Sequence, residues 1–204
     1  MTVPTIETDI ELRIRQAAMK VFLEKGHSAT SMKAIADEAG IKRTLLHYYF
    51  RNKEKLYDVV FSQVMRQVNE RTSAINRSGL PIGERIEAFI DDYFEGSAEG
   101  DHCEAFFLHE YNQNPEHMKQ ALSRDGFFSA VAEFIEALDA AHARGELGYN
   151  ARQLFLDILS LCMFPFSGQR MVADTLGLSE TEYAALLLER KTHVKKLLRN
   201  GLRG

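Results

Sequence analysis

The chain has 204 residues, of which 45% are hydrophobic and 26% are charged, a composition typical of a folded globular protein that argues against intrinsic disorder. No stretch of about 18 consecutive apolar residues occurs, and acidic residues stand near the N-terminal end, where a secretory signal would be basic and then apolar. We therefore expect a cytoplasmic protein that does not enter a membrane.

The net charge of −4 is unevenly distributed along the chain. Residues 1–55 carry ten Lys and Arg against seven Asp and Glu, a balance of +3, whereas residues 56–204 carry fifteen against twenty-two, a balance of −7. Such asymmetry is typical of a nucleic-acid-binding module joined to a body that does not bind nucleic acid. We predict two domains, 1–55 and 56–204.

Apolar residues recur at helical spacing, and no run of alternating β-branched residues predicts a strand, so we expect an all-α fold with about nine helices. The first helix ends at Gly26, a residue type favoured just after a helix C-terminus. Its apolar stripe consists of Ile10, Ile14, Ala17, Ala18, Val21 and Phe22. The second helix begins at Thr30 or Ser31, either of which can cap its N-terminus, and ends at Gly40.

The third helix starts at about Lys42 and ends near Phe50, with Leu46 and Phe50 on its inward side. Asn52 is placed to cap a long fourth helix that reaches about Asn76. The first three helices are short, so a shared core must hold them together.

Loops and breaks divide the next part of the chain. Pro81 is placed in the first turn of a fifth helix, after the loop 78–81. A second break at 96–101 precedes an aromatic segment at 105–111. Pro115 then starts a longer helix, which we expect to continue to about residue 145.

Two capping patterns mark the last helices. Asn150 and Gln153 resemble a capping box for a helix over residues 151–176, which is apolar almost all round in its first half. Ser179 and Glu182 form a capping box for the final helix. Pro165 lies inside the first of these two helices and is expected to kink it.

The second and third helices have the spacing of a helix-turn-helix motif. Gly40 permits the tight reversal between them, and Ile41 is expected to pack between the helices. The outward side of the third helix presents polar and aromatic groups: Lys42, Arg43, Thr44, His47 and Tyr48. Such a helix suits the major groove of DNA, where Arg can bind guanine through two hydrogen bonds and Lys or Tyr can bind phosphate.

The ungapped run from Gly26 to Ile41 (GHSATSMKAIADEAGI) and the run from Leu46 to Leu56 (LHYYFRNKEKL) resemble the DNA-binding domain of the TetR family of regulators. The resemblance covers about residues 10–56; the rest of the chain resembles the family only in length, helix pattern and order of breaks. It implies binding to double-stranded operator DNA.

The resemblance also assigns roles to individual residues. Arg43 and Thr44 match positions that commonly read bases, and His47 matches one that contacts a base or a phosphate. Tyr48, Tyr49 and Lys53 match positions that bind phosphate, and either Thr30 or Ser31 matches the start of the second helix, which contacts the DNA backbone.

Three positions depart from the family pattern. His27 replaces the usual aromatic residue after the glycine, which leaves the fold intact. Lys42 replaces a common Ser or Thr, and Leu45 occupies a position that is often Thr or Ser. Leu45 is therefore placed to contact a thymine methyl group instead of donating a hydrogen bond, and the operator sequence stays open.

The second domain contains a set of aromatic and polar residues that could line an effector cavity. Its members are Phe89, Tyr93, Phe106, Phe107, His109, Glu110, Tyr111, Phe127, Phe128, Met163, Phe164 and Phe166. An aromatic stripe is more often simple core, and that alternative stays open for each residue. The effector is not identified by the sequence.

The last two long helices are the predicted dimerisation surface. A helix that is apolar all round must be covered on both sides, and a partner chain would cover the outer side. The resemblance implies a homodimer built from these helices, and a palindromic operator has half-sites about 34–36 Å apart.

The sequence contains no complete catalytic or metal-binding motif that we recognise. His109 and Glu110 lack the second histidine of a zinc-protease motif, and His102 with Cys103 is the only other metal-like pair. Cys103 and Cys162 lie in apolar helical segments, as expected for reduced thiols. We expect no metal, no cofactor and no enzymatic activity.

Together these features predict a transcriptional regulator, a repressor that a small-molecule effector releases through the long fourth helix. Activation of transcription, instead of repression, stays open as an alternative. The alternative function is a helical small-molecule carrier or enzyme that uses the aromatic cavity. That alternative does not explain the polar face of the third helix.

Overall fold

A computed structural model describes residues 9–98 and 103–201. Within these ranges the chain forms eleven α-helices and no strand, so the prediction of an all-α fold is confirmed. The helices are α1 (Asp9–Ala29), α2 (Met32–Glu38), α3 (Arg43–Tyr49), α4 (Lys53–Asn76), α5 (Ile82–Ala98), α6 (Cys103–Gln113), α7 (Pro115–Arg124), α8 (Phe127–Ala143), α9 (Ala151–Ser167), α10 (Gln169–Leu176) and α11 (Glu180–Gly201).

The chain divides into two compact units, and the division does not follow the predicted boundary at residue 55. The first unit comprises the residues up to Arg66 together with His109–Asp125, and the second comprises the remainder. Helices α4 and α6 each have residues in both units. Within the first unit α7 packs on α4, because Met118 is fully buried and its sulfur accepts a hydrogen bond from the Tyr57 hydroxyl.

Helices α1, α2 and α3 share one core in the first unit. The predicted stripe of α1 is buried from Ile14 to Phe22, and Ile35 of α2 and Leu46 of α3 are fully buried. Gly40 has a φ of 64°, which ends α2 as the sequence predicted. The backbone N–H of Ile41 donates to the Ala36 carbonyl at 3.0 Å, a bond that closes the helix end and turns the chain into α3.

Gly26 breaks α1 one turn before its end. Its φ of 75° and ψ of 164° lie in a region that only glycine adopts without strain. The predicted end of the first helix at Gly26 is therefore a change of direction followed by a short helical turn to Ala29. Thr30 stabilises this corner, because its hydroxyl donates to the Gly26 carbonyl at 2.7 Å.

Replacement of Gly26 by alanine is expected to lower the free energy of unfolding by about 1–3 kcal/mol, because a Cβ is strained at these backbone angles. Gly83 is the matched control, since it lies inside α5 with no atom within 4 Å of a Cβ added there. Gly83→Ala should be neutral or raise stability by up to about 1 kcal/mol. Urea unfolding followed by circular dichroism measures both, and equal stability of the two variants would contradict the expectation.

The second unit is built around helices α5, α8, α9 and α11. Its core contains fully buried apolar residues from each helix, among them Ile90, Phe134, Ile158 and Val194. Ion pairs support the packing of α11 on α5: Lys195 binds Asp91 at 2.7 Å, and Arg199 binds Glu87. Cys162 is buried in this core, where desolvation raises the pKa of its thiol to about 12, as expected for an unreactive reduced cysteine.

Two helices that the sequence predicted as continuous are interrupted. The helix predicted over residues 115–145 is divided into α7 and α8 at Gly126, which has a φ of 79°. The helix predicted over residues 151–176 is divided into α9 and α10 at Gly168, not at Pro165. At Gly168 a Cβ would lie 3.2 Å from the Phe164 carbonyl oxygen, so a larger residue there would displace the neighbouring atoms by a few tenths of an ångström.

Most predicted helix caps are present in the structure. The Asn52 side chain accepts from the Lys55 N–H at 2.9 Å, and the Asn150 side chain accepts from the N–H of Arg152. Ser179 and Glu182 form both bonds of a capping box. Part of the predicted break at 96–101 lies outside the described residues, and α5 continues through Gly96 to Ala98.

Candidate DNA-binding surface

Helix α3 separates an inward apolar side from an outward polar side, as the sequence predicted. Leu46 is fully buried and Phe50, at the C-terminal cap, is 4% exposed. On the other side the exposed residues are Lys42, Arg43, Thr44 and Tyr48, and Tyr48 is 82% exposed. The helix therefore presents cationic and hydroxyl groups to solvent while one leucine anchors it to the core.

Arg43 is held in place by its own helix. Its Nε donates to His47 Nε2 at 3.2 Å, and His47 Nδ1 lies 3.2 Å from the Arg51 carbonyl oxygen. Both bonds form together when the His47 ring is neutral and carries its proton on Nδ1. This contact restricts the orientation of the guanidinium group of Arg43. Less side-chain entropy is then lost when Arg43 binds a base.

The remaining residues of α3 are partly covered. Leu45, His47 and Tyr49 are half-buried, and the rings of Tyr48 and Tyr49 make an edge-to-face contact with centroids 5.4 Å apart. Tyr49 therefore has a ring packed against the protein, whereas the Tyr48 ring is displayed to solvent.

The two candidates at the start of α2 have different positions. Ser31 is exposed and caps the helix, because its hydroxyl accepts from the Ala34 N–H at 3.2 Å. Thr30 is 3% exposed, and its hydroxyl is directed inward to Gly26. The predicted contact of Thr30 with the DNA backbone is therefore corrected, because a buried hydroxyl bonded to the protein does not face a phosphate.

Lys53, the predicted phosphate ligand at the start of α4, is bonded within the protein. Its ammonium donates to the His27 carbonyl at 2.7 Å in a partly buried position. The structure thus gives this lysine a contact between α4 and the α1–α2 corner that the sequence did not predict. The two residues are 26 positions apart, so no local sequence pattern predicts this contact.

Glu110 was predicted to line an effector cavity, but it lies in the first unit. It is 3% exposed, and its carboxylate accepts the backbone N–H of His27 at 3.0 Å. The carboxylate is engaged by the α1–α2 corner, so its predicted place in the cavity is corrected. His109 is exposed and Tyr111 is half-buried, and both belong to the same unit as Glu110.

The other predicted cavity residues lie in the second unit, and several of their rings are in contact. Phe89 stacks on Phe134 with centroids 5.1 Å apart, and Tyr93 lies 6.2 Å from Phe166. Phe107 and Phe128 both approach Phe127. Met163 is half-buried, and the Phe106 side chain lies outside the described residues. Phe164 is 51% exposed, which places it on the surface of α9 and not in an interior cavity.

His27 occupies a largely apolar setting. Its ring lies 4.6 Å from the Tyr57 ring and 6.0 Å from that of Phe22. Burial is the main cause that lowers the pKa of His27, and the positive charge of Lys53 adds to it, while Glu110 opposes both. The neutral ring is favoured by the fold, so the stability it contributes is present above the unfolded pKa and declines as pH falls below it.

Neither a metal-binding cluster nor a membrane-spanning helix occurs among the described residues. Across residues 9–98 and 103–201, no group of three or more His, Cys, Asp or Glu side chains could hold a metal ion. The predicted pair His102 and Cys103 has its side chains outside the described residues. None of the described helices is long and apolar enough to span a bilayer.

Residues 14–60 match the family model described as bacterial regulatory proteins, tetR family. Residues 14–60 therefore form a domain of the tetR family type. The match covers α1, α2, α3 and the first third of α4, which are the elements that carry the exposed face described above.

The proteins that this chain resembles in sequence or structure include transcriptional regulators. The chain is 30% identical over 138 residues to the transcriptional activator FasR of Mycolicibacterium smegmatis, covering 63% of this chain and 61% of that protein. It is 30% identical over 91 residues to the fatty acid metabolism regulator protein of Bacillus subtilis, covering 45% and 46%. These alignments span less than two thirds of either relative.

The crystal structure of the transcriptional regulator FadR from Bacillus subtilis in complex with stearoyl-CoA shares the fold of this chain. The two chains superpose with a TM-score of 0.62 at 23% identity, over 93% of this chain and 98% of that one. The similarity therefore extends to the whole helical architecture, beyond the matched N-terminal domain.

Proposed function

We propose that this chain is a ligand-responsive transcriptional regulator that binds a palindromic operator as a homodimer, and that it is a repressor released by a small-molecule effector. The exposed polar face of α3, with Arg43 directed by His47, is the observation that carries the proposal. A carrier or an enzyme has no use for this face, so the exposed cations favour the regulator.

The proposed dimer interface consists of the outward faces of α9 and α11. On α11 an uncharged stripe runs along exposed positions spaced for one helix face: Thr181, Ala185, Leu188 and Thr192. On α9, Leu156 and Phe164 are each more than half exposed, with Ser160 between them. Lys191, Lys195 and Arg199 of α11 are instead paired with acidic residues of α5, and none of the four stripe residues is charged.

For the effector we propose an amphiphile with an acyl chain and an anionic group. The core of the second unit is rich in aromatic and aliphatic side chains, such as Phe89 and Phe134, which suit an acyl chain. Arg190 on α11 has a buried Nε for which the described part of the structure offers no hydrogen-bond partner. The positive charge of Arg190 acts to lower the pKa of Cys162, which lies inside the same unit. The neighbour in complex with stearoyl-CoA and the fatty acid metabolism regulator protein of Bacillus subtilis support this class.

Arg43→Ala is expected to weaken operator binding by about 1–3 kcal/mol, which is roughly five- to 150-fold in Kd, and to relax the base preference, because the side chain is placed to bind guanine. Arg77→Ala is the control, since it removes the same charge from an exposed position in the second unit. Fluorescence anisotropy on a site selected from random duplex DNA measures both. Identical Kd values and selected sequences for the two variants would count against base reading by Arg43.

The wild-type measurement itself tests the proposed function. A regulator should select one duplex sequence with two-fold symmetry and bind it at least about a thousandfold more tightly than random DNA. Addition of a long-chain acyl-CoA should then weaken the complex. A protein that binds all duplexes equally, or none, would not be this regulator.

A further inference from the structure

The backbone N–H and the backbone C=O of His27, which belong to the two successive peptide groups beside its Cα, are each bound by a charged side chain. Glu110 of α6 accepts the His27 N–H at 3.0 Å, and Lys53 of α4 donates to the His27 carbonyl at 2.7 Å. We call these three residues the His27 clamp. Glu110 is separated from His27 by 83 residues, so the clamp exists only through the tertiary fold.

A buried carboxylate is costly unless it is hydrogen-bonded or paired, because it loses the water that stabilises its charge. Glu110 is 3% exposed, and its carboxylate accepts a hydrogen bond from a backbone N–H at the corner between α1 and α2. A neutral apolar residue would fill the same space at lower cost, so the position favours a role for the bond itself in fixing geometry.

The clamp acts on the segment that sets the entry of α2. Gly26 changes the chain direction, Thr30 bonds back to the Gly26 carbonyl, and Ser31 caps α2. His27 lies inside this corner, and the clamp holds the peptide planes before and after its Cα from two other helices. Because α3 packs on α2, the direction of the recognition face depends on this corner.

We propose that Glu110 is a positioning residue for DNA binding, and that Lys53 acts with it on the backbone of His27 instead of binding a phosphate. The inference rests on the proposed function for its effect on operator affinity. Its structural part, the hydrogen bond to the His27 N–H, is independent of that function.

Hydrogen exchange measures the structural part without DNA. Glu110→Met removes the carboxylate and keeps an apolar side chain of similar length, and it should raise the exchange rate of the His27 amide at least about tenfold. Glu104→Met is the matched control, because Glu104 is the other buried glutamate of α6 and lies in the second unit. It should leave the His27 amide protected. An unprotected His27 amide in the wild type, or no change in Glu110→Met, would overturn the clamp.

Operator binding measures the positioning role. Glu110→Met should weaken binding at least about tenfold with unchanged dimerisation and melting cooperativity, whereas Glu110→Gln retains an acceptor oxygen and should recover most of the affinity. Lys53→Met should weaken binding without lowering the salt dependence, and the double variant should lose less than the sum of the single losses. A salt slope smaller by about one, with additive losses, would identify Lys53 as a phosphate ligand and overturn the proposal.

The two measurements separate the possible failures. If the wild-type protein binds no DNA, the proposed function fails and the positioning role with it, while the exchange rates still report the clamp. If the wild type binds DNA and Glu110→Met binds equally well, the positioning role is wrong and the proposed function stands.

Discussion

Replacement of Leu46 by alanine is expected to lower the free energy of unfolding by about 2–5 kcal/mol and to abolish sequence-specific DNA binding. Leu46 is fully buried and is the one buried residue within the seven-residue helix α3. The truncation leaves a cavity and removes the contact that holds the helix, and a helix this short is not stable without its packing. Urea unfolding and fluorescence anisotropy with the selected operator measure the two effects.

Leu45→Ala is the matched control for this variant. Leu45 is the neighbouring leucine in the same helix turn and is only half-buried, so the same truncation should cost less than about 1.5 kcal/mol. If Leu45 contacts a thymine methyl group, its loss should change preference at one operator position and leave binding in place. Equal destabilisation by the two variants would mean that α3 is not anchored through Leu46.

The second large effect is expected from Leu188→Glu, which should convert a dimer into a monomer at micromolar concentration. Leu188 is 77% exposed in the centre of the uncharged stripe on α11. In a symmetric dimer the substitution places two carboxylates in one interface, where their desolvation and repulsion oppose association. Operator affinity should fall at least about a hundredfold, because the second half-site is then no longer bound by a linked copy.

Leu80→Glu serves as the control, since Leu80 is also an exposed leucine but lies in the segment before α5. Its mass by light scattering and its operator affinity should match those of the wild type. A Leu188→Glu protein that keeps the dimer mass would show that the stripe on α11 is not the interface. If the wild type is itself a monomer without DNA, the proposed homodimer is wrong.

Local sequence patterns predicted most of the helices and most of their ends. Spacing of apolar residues placed α1 to α4, and caps such as Ser31, Asn52 and Ser179 form the expected bonds. The errors lie at Gly126 and Gly168, where a break interrupts a periodic pattern. Apolar periodicity continues across both glycines, so only the backbone angle or the close approach in the folded chain reveals the break.

Some features of the candidate DNA-binding surface were predictable from local sequence patterns, and others were not. The outward face of α3 was predictable, because a helix with one apolar side displays the other residues to solvent. The burial of Thr30 and the engagement of Lys53 and Glu110 by the α1–α2 corner were not, because each depends on a partner outside its own helix.

The sequence by itself determined the all-α fold, the helix-turn-helix motif and the face of α3 that Arg43 occupies. These depend on periodicity, capping and glycine positions, which act between residues a few places apart. Only the tertiary structure decided that a buried carboxylate from α6 and a lysine from α4 bind the backbone N–H and C=O of the residue after Gly26. The two contacts join residues that are separated by 26 and by 83 positions in the sequence. They follow from the packing of whole helices, and no local pattern encodes them.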